Sequence, residues 1–126
     1  MRLHRERRPS GWGTLELGGG DLDTVLEAAR RWEVVLVDSL TLWASAQPLD
    51  KDDAADTLAA FDRFLEGAAA HATPFILVSD EVGLGVVPES EAGRRFRDAL
   101  GLLNQQAAAV AQEVHLCVAG IGTRIK

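Results

Sequence analysis

Apolar residues recur along this chain at two periods, and the switches between them lay out an alternating series of elements. Leu22, Val25, Leu26 and Ala29 share one face of a helical projection, with Asp21 placed to cap its start. The run VVLV at 34–37 follows directly and reads as a buried strand delivering Asp38 at its end. After Trp43 the charged, proline-containing connection AQPLDKDD breaks the pattern. A second helix is predicted from about residue 53 to 71, with Leu58, Phe61, Leu65 and Ala69 along its apolar side. Thr73 and Pro74 stop it ahead of another buried strand, FILVS at 75–79. The loop EVGLGVVPES then opens a long helix over about 91–112, marked by Phe96, Leu100, Leu103, Ala107 and Val110. The run VHLCVAG closes the series as a third strand. Strand, helix, strand, helix, strand is the order that builds a parallel sheet covered by helices.

A length of 126 residues fits one domain over 1–126. Residues 1–20 stand apart as a basic, glycine-rich arm with Trp12 as an apolar anchor. Nineteen acidic against thirteen basic side chains give a net charge of −6, so nothing draws the chain generally to nucleic acid or an anionic membrane. Cys117 is the single cysteine, which excludes an intrachain disulfide and a clustered zinc site and suggests a reducing, cytoplasmic setting. No apolar stretch approaches the roughly 18 residues that cross a bilayer, and the start MRLHRERRP runs into polar sequence, so neither a signal peptide nor a membrane anchor is expected.

Four segments carry candidate chemistry. Asp38 stands at the carboxyl end of a strand, where ligands of open α/β sheets bind, and an aspartate there holds Mg2+ or caps the next turn. In the loop at 79–90, Gly83 and Gly85 allow close backbone approach or positive φ, and Glu81 again sits at a strand end. Arg94, Arg95 and Arg97 on one helical segment either bind phosphates through paired N–H donors or form a solvated face with ion pairs to Glu91 and Asp98. His4 lies among Arg2, Arg5, Arg7 and Arg8; neighbouring cations disfavour the imidazolium and favour a neutral, nucleophilic ring, although a histidine in a basic arm is also commonly just exposed.

Together these segments resemble the bifunctional adenosylcobinamide kinase and adenosylcobinamide-phosphate guanylyltransferase family. The resemblance rests on His4, Arg8, Pro9 and Trp12; on Asp38 with Leu40 to Trp43; on Glu81 to Pro88; on Arg95 to Asp98; on Gly101, Asn104 and Gln105; and on Gly120 to Lys126. It implies a three-layer P-loop NTPase-like (RecA-like) parallel sheet with helices on both faces. It also implies cobalamin biosynthesis: phosphorylation of adenosylcobinamide, then transfer of GMP from GTP to adenosylcobinamide phosphate through a histidine–GMP intermediate, with His4 the matching residue. By the same resemblance Asp38 assists Mg2+, Glu81, Gly83 and Gly85 shape the nucleotide site, and Arg94, Arg95 and Arg97 serve phosphates. ATP and GTP are the implied substrates and a homotrimer the implied assembly.

The family pattern opens with a strand, a phosphate-binding loop and a helix ahead of the histidine segment. The loop G-x-x-x-x-G-K-[ST] needs a lysine after its second glycine, and Lys51 and Lys126, the only lysines, do not follow a glycine. The expectation is therefore a chain starting downstream of that loop, with its first strand missing and its activity impaired. Asp80, Ser90 and Ala46 stand where the family carries asparagine, each swap removing an amide donor. The alternative is a non-catalytic relative that binds corrinoid or nucleotide.

Overall fold

Each helix packs through the face its sequence made apolar. The computed structural model describes residues 9–49 and 54–126. In chain order these form α1 (Asp23–Ala29), β1 (Val35–Asp38), α2 (Leu40–Ser45), α3 (Ala54–Ala70), β2 (Phe75–Val78), α4 (Glu91–Val110), β3 (His115–Val118) and β4 (Ile121–Arg124). Strands β1 and β2 pair in parallel, from Val35 opposite Phe75 to Asp38 opposite Val78, with α2 and α3 making the crossover. Val35, Val37, Phe75 and Leu77 face a core built on Leu40, Trp43, Phe61, Phe64, Leu100 and Leu103. Its aromatic rings are contiguous: Trp43 and Phe61 lie 5.7 Å apart, Phe61 and Phe64 6.0 Å, and Phe64 meets Phe75 edge-on at 5.9 Å.

The two strands alternate between half-buried and exposed positions rather than being buried on both faces. Leu36, Ile76, Val34 and Val78 are exposed, so among the described residues helices cover only one side of the sheet.

The third predicted strand corrects the expected pairing. β3 does not join β1 and β2 but turns back into antiparallel β4, with Val118 opposite Ile121. Ala119 (φ 53°) and Gly120 (φ 78°) make the two-residue connection, and positive φ at both central positions suits the right-handed twist of a hairpin. Every residue of β3 and β4 is exposed. Lys126 Nζ ties the hairpin to α4 by donating to the carbonyls of Ala108 and Ala109, at 2.8 and 3.0 Å.

α3 and α4 match their predicted spans within two residues, ordinary fraying of helix ends. Ser90 caps α4 by accepting from Gly93 N at 3.1 Å, which gives its hydroxyl a defined task. Asp21 does not occupy the expected cap of α1: that position is Leu22, which makes no side-chain cap bond, and Asp21 stands one residue before it, accepting from Asp23 N at 2.9 Å. The six-residue α2 is an element the hydrophobic pattern did not predict. It pins the arm: Trp43 Nε1 donates to Gly20 O at 3.2 Å and Gln47 Nε2 to Gly19 O at 3.0 Å. Gly19, with φ 88°, has no alternative side chain here, since a Cβ would lie 2.7 Å from that of Ala46.

Candidate nucleotide site at the carboxyl ends of the parallel strands

Because β1 and β2 run in parallel and in register, their carboxyl ends emerge side by side. At the first, Asp38 is exposed. The helix that follows is capped by Ser39, whose Oγ accepts from Leu42 N at 3.3 Å. The capping alternative for Asp38 therefore passes to its neighbour, and the Asp38 carboxylate is not consumed by α2.

At the second strand end, three side chains hold the chain as it leaves β2. Thr41 Oγ1, from α2, accepts from Asp80 N at 2.8 Å. Asn104, from α4, uses both ends of its amide: Ser79 Oγ donates to its Oδ1 at 2.6 Å, and its Nδ2 donates to Asp80 O at 3.2 Å. Arg97 then donates to Gly83 O at 2.7 Å. Between these points Glu81 Oε1 accepts from Gly83 N at 2.6 Å. A Cβ on residue 83 would sit 2.6 Å from that oxygen, so glycine is what lets the carboxylate reach the backbone. Of the two alternatives for Gly83 and Gly85, positive φ is not adopted; the glycines that adopt it are Gly18, Gly19 and Gly120. Gly85 is open instead: the nearest atom a Cβ there would meet is Val82 O, 4.0 Å away.

Two shallow depressions adjoin this loop. The larger, about 370 Å³, is lined by Glu81, Val82, Gly83, Arg97, Asp98, Gly101, Leu102, Asn104 and Gln105. A second, about 280 Å³, is lined by Val87, Arg94, Arg97 and Asp98. The three arginines thus part company. Arg94 and Arg97 line the depressions, while donating to Pro88 O and Glu89 O, and to Gly83 O, respectively. Arg95 lines neither and forms the ion pair with Glu91 that its i, i+4 spacing offers. His4 lies outside the described residues.

Among the described residues no three His, Cys, Asp or Glu side chains gather into a metal cage. A lone carboxylate such as Asp38 still fits Mg2+, which usually takes one or two carboxylates and completes its shell with water and phosphate oxygens. The roles of Thr41, Ser79 and Asn104 escaped a reading by sequence, because their contacts join positions 24 to 39 residues apart. The available signal was a hydroxyl and an amide placed at the ends of elements that meet at one sheet edge.

Residues 1–125 match the family model described as cobinamide kinase / cobinamide phosphate guanyltransferase. The chain is similar to the bifunctional adenosylcobalamin biosynthesis protein CobU of Escherichia coli (strain K12), 38% identical over 136 residues and covering 98% of this chain and 75% of that one. It is similar to CobU of Salmonella typhimurium, 35% identical over 139 residues and covering 100% of this chain and 76% of that one. The bifunctional adenosylcobalamin biosynthesis protein CobP of Pseudomonas aeruginosa is 38% identical over 123 residues, covering 98% of this chain and 70% of the relative.

Proposed function

The chain belongs to the cobinamide kinase / cobinamide phosphate guanyltransferase family, and from that premise we propose that it serves cobalamin biosynthesis as a transferase acting on adenosylcobinamide and its phosphate, with ATP and GTP as substrates. The observation that carries this reading to residues is the convergence of Asp38 and the pinned Glu81–Gly83 loop at one end of a parallel sheet, where α/β proteins take nucleotides.

In the guanylyl transfer, a neutral His4 imidazole nitrogen attacks the α-phosphorus of GTP, and the bond from that phosphorus to the bridging oxygen breaks as pyrophosphate leaves. A phosphate oxygen of adenosylcobinamide phosphate then attacks the same phosphorus, and the phosphorus–nitrogen bond breaks to return the imidazole. Dividing the displacement in two is the usual gain of a covalent intermediate. Arg94 and Arg97 supply donors to phosphate oxygens, and the Gly85 backbone leaves room for close approach. Arg95, turned to Glu91, contributes by holding α4 and is the weakest of the three phosphate candidates. Asp38 would hold Mg2+, which when bound offsets the charge of the phosphates.

The same reading takes in a three-layer P-loop NTPase-like (RecA-like) sheet, the bare face of Leu36 and Ile76 being where a second helical layer would lie. It also takes in a cytoplasmic setting and a homotrimer, supported by the exposed Leu84, Val86 and Val87. No helix of the described residues is long and apolar enough to cross a membrane.

The test is intact mass after incubation with GTP and Mg2+. A gain of one guanylyl group, lost in His4→Ala, is the expected result. A second reading, a non-catalytic relative that binds nucleotide or corrinoid, is favoured by the lack of any Gly-Lys pair in these residues, the pair on which a G-x-x-x-x-G-K-[ST] loop depends for the β- and γ-phosphates. Binding of GTP without any mass gain would select it.

A further inference from the structure

The backbone that leaves β2 is held at two residues, each by both of its polar groups. Asp80 N donates to Thr41 Oγ1, and Asp80 O accepts from Asn104 Nδ2. Gly83 N donates to Glu81 Oε1, and Gly83 O accepts from Arg97 Nη2. Of the four side chains that do this, Arg97 alone also lines the second depression. It stands half-buried between the two, with Gly83 in the wall of the larger one.

A guanidinium carries five N–H donors in a fixed fork. Among the described residues Arg97 spends Nη2 on Gly83 O at 2.7 Å, so donors remain for an acceptor in the second depression. That depression is lined by Val87, Arg94, Arg97 and Asp98. Two guanidiniums against one carboxylate leave it a positive balance, which suits a phosphate or pyrophosphate group. Arg94 is placed differently: it donates to Pro88 O and Glu89 O, later in the loop, and among the described residues has no bond to positions 80–83.

Building on the nucleotide reading above, we propose that Arg97 is a positioning residue that links an anion in the second depression to the order of the Glu81–Gly83 loop. An anion engaging the free N–H groups fixes a long, rotamer-rich side chain. The fixed guanidinium then holds Gly83 O, and with it the Gly83 N–H that Glu81 accepts. The linkage is reciprocal: whatever orders the loop tightens anion binding by the same factor. Charge alone does not supply it, because a lysine ammonium is a compact point charge without the rigid fork that spans a carbonyl on one side and an anion on the other.

The test is amide hydrogen exchange of the full chain titrated with inorganic pyrophosphate, without Mg2+ and at an ionic strength matched with NaCl, beside calorimetry of the same samples. The readout is the ratio of exchange rates at Gly83 with and without ligand, which a bond serving stability alone would not alter. At saturation, exchange at Gly83 should slow by about tenfold while the β1–β2 ladder changes little. Arg97→Lys should bind pyrophosphate more weakly and, once saturated, show no slowing at Gly83. Arg94→Lys should also bind more weakly but keep the slowing at saturation. Bound pyrophosphate that leaves Gly83 unchanged in the unaltered chain, or slows the ladder as much as Gly83, would overturn the linkage. So would slowing that survives Arg97→Lys or is lost equally in Arg94→Lys; each of these outcomes leaves the phosphate role of the two arginines standing. Failure of the unaltered chain to bind pyrophosphate would overturn the linkage and that phosphate role together.

Discussion

The backbone N–H of Asp80 donates to Thr41 Oγ1 at 2.8 Å, which fastens the exit of β2 to the helix that follows Asp38 at the end of β1. With Asn104 holding the Asp80 carbonyl from α4, the two strand ends are fixed relative to each other by side chains from two different helices. A loop fastened in this way presents its donors and acceptors without having to order them on binding, which lowers the entropic cost of ligand capture.

The first prediction concerns that fastening. Thr41→Val keeps the shape and removes the acceptor, and Asn104→Ala removes the second anchor. Each should cost about 1 kcal/mol of stability, the net worth of a typical hydrogen bond. Amide hydrogen exchange at Asp80 and Gly83 should accelerate more than exchange in the β1–β2 ladder. Uniform acceleration throughout the chain would mean the contacts serve only global stability.

A second prediction separates two adjacent residues. Ser39 caps α2 and Asp38 does not, so Ser39→Ala should destabilise by about 1 kcal/mol with little effect on Mg2+ dependence. Asp38→Asn should leave the melting temperature close to that of the unaltered chain and abolish the strengthening of nucleotide binding by Mg2+. Thermal melts paired with titrations at zero and millimolar Mg2+ would show the division. The reverse pattern would make Asp38 the structural residue.

How much of this was legible beforehand follows from the range of the interactions involved. α3 and α4 announced themselves because Phe61, Leu65, Leu100 and Leu103 recur at helical spacing and do become the core. α2 did not, since six residues cannot show a period, and its clearest mark was the cap at Ser39. VHLCVAG reads as a strand and is one, but its partner was set by the turn at Ala119 and Gly120, which an apolar run does not reveal. The position of Asp38 and Glu81 at strand ends was readable from order alone. Which arginines face the depressions was not, because Arg94, Arg95 and Arg97 differ by a rotation about the helix axis that spacing predicts only once the packed face is known.

A third prediction tests how the arm is anchored. Trp43→Phe preserves most of the ring packed on Phe61 and removes the N–H that meets Gly20 O. The loss should be about 1–3 kcal/mol, the penalty for a part-buried group left without its partner. Limited proteolysis should cut within residues 9–20 sooner than in the unaltered chain, while Trp43→Ala should destabilise the whole core by about 3–5 kcal/mol. Unchanged cleavage in the arm of Trp43→Phe would show that Gln47 alone secures it.

The last prediction bears on the hairpin. Ala119 holds φ at 53° beside Gly120 at 78°, a left-handed conformation that costs an ordinary residue roughly 1–2 kcal/mol. Asparagine tolerates that region, and Asn-Gly is the favoured pair for a two-residue hairpin turn. Ala119→Asn should therefore stabilise the chain, whereas Gly120→Ala should destabilise it by about 1 kcal/mol or more. Neither residue touches the depressions beside α4, so GMP affinity should be the same in both variants. Thermal melts decide the sign, and opposite shifts from the two substitutions are the outcome that a type I′ turn between β3 and β4 requires. If both destabilise alike, side-chain contacts rather than backbone conformation govern the turn.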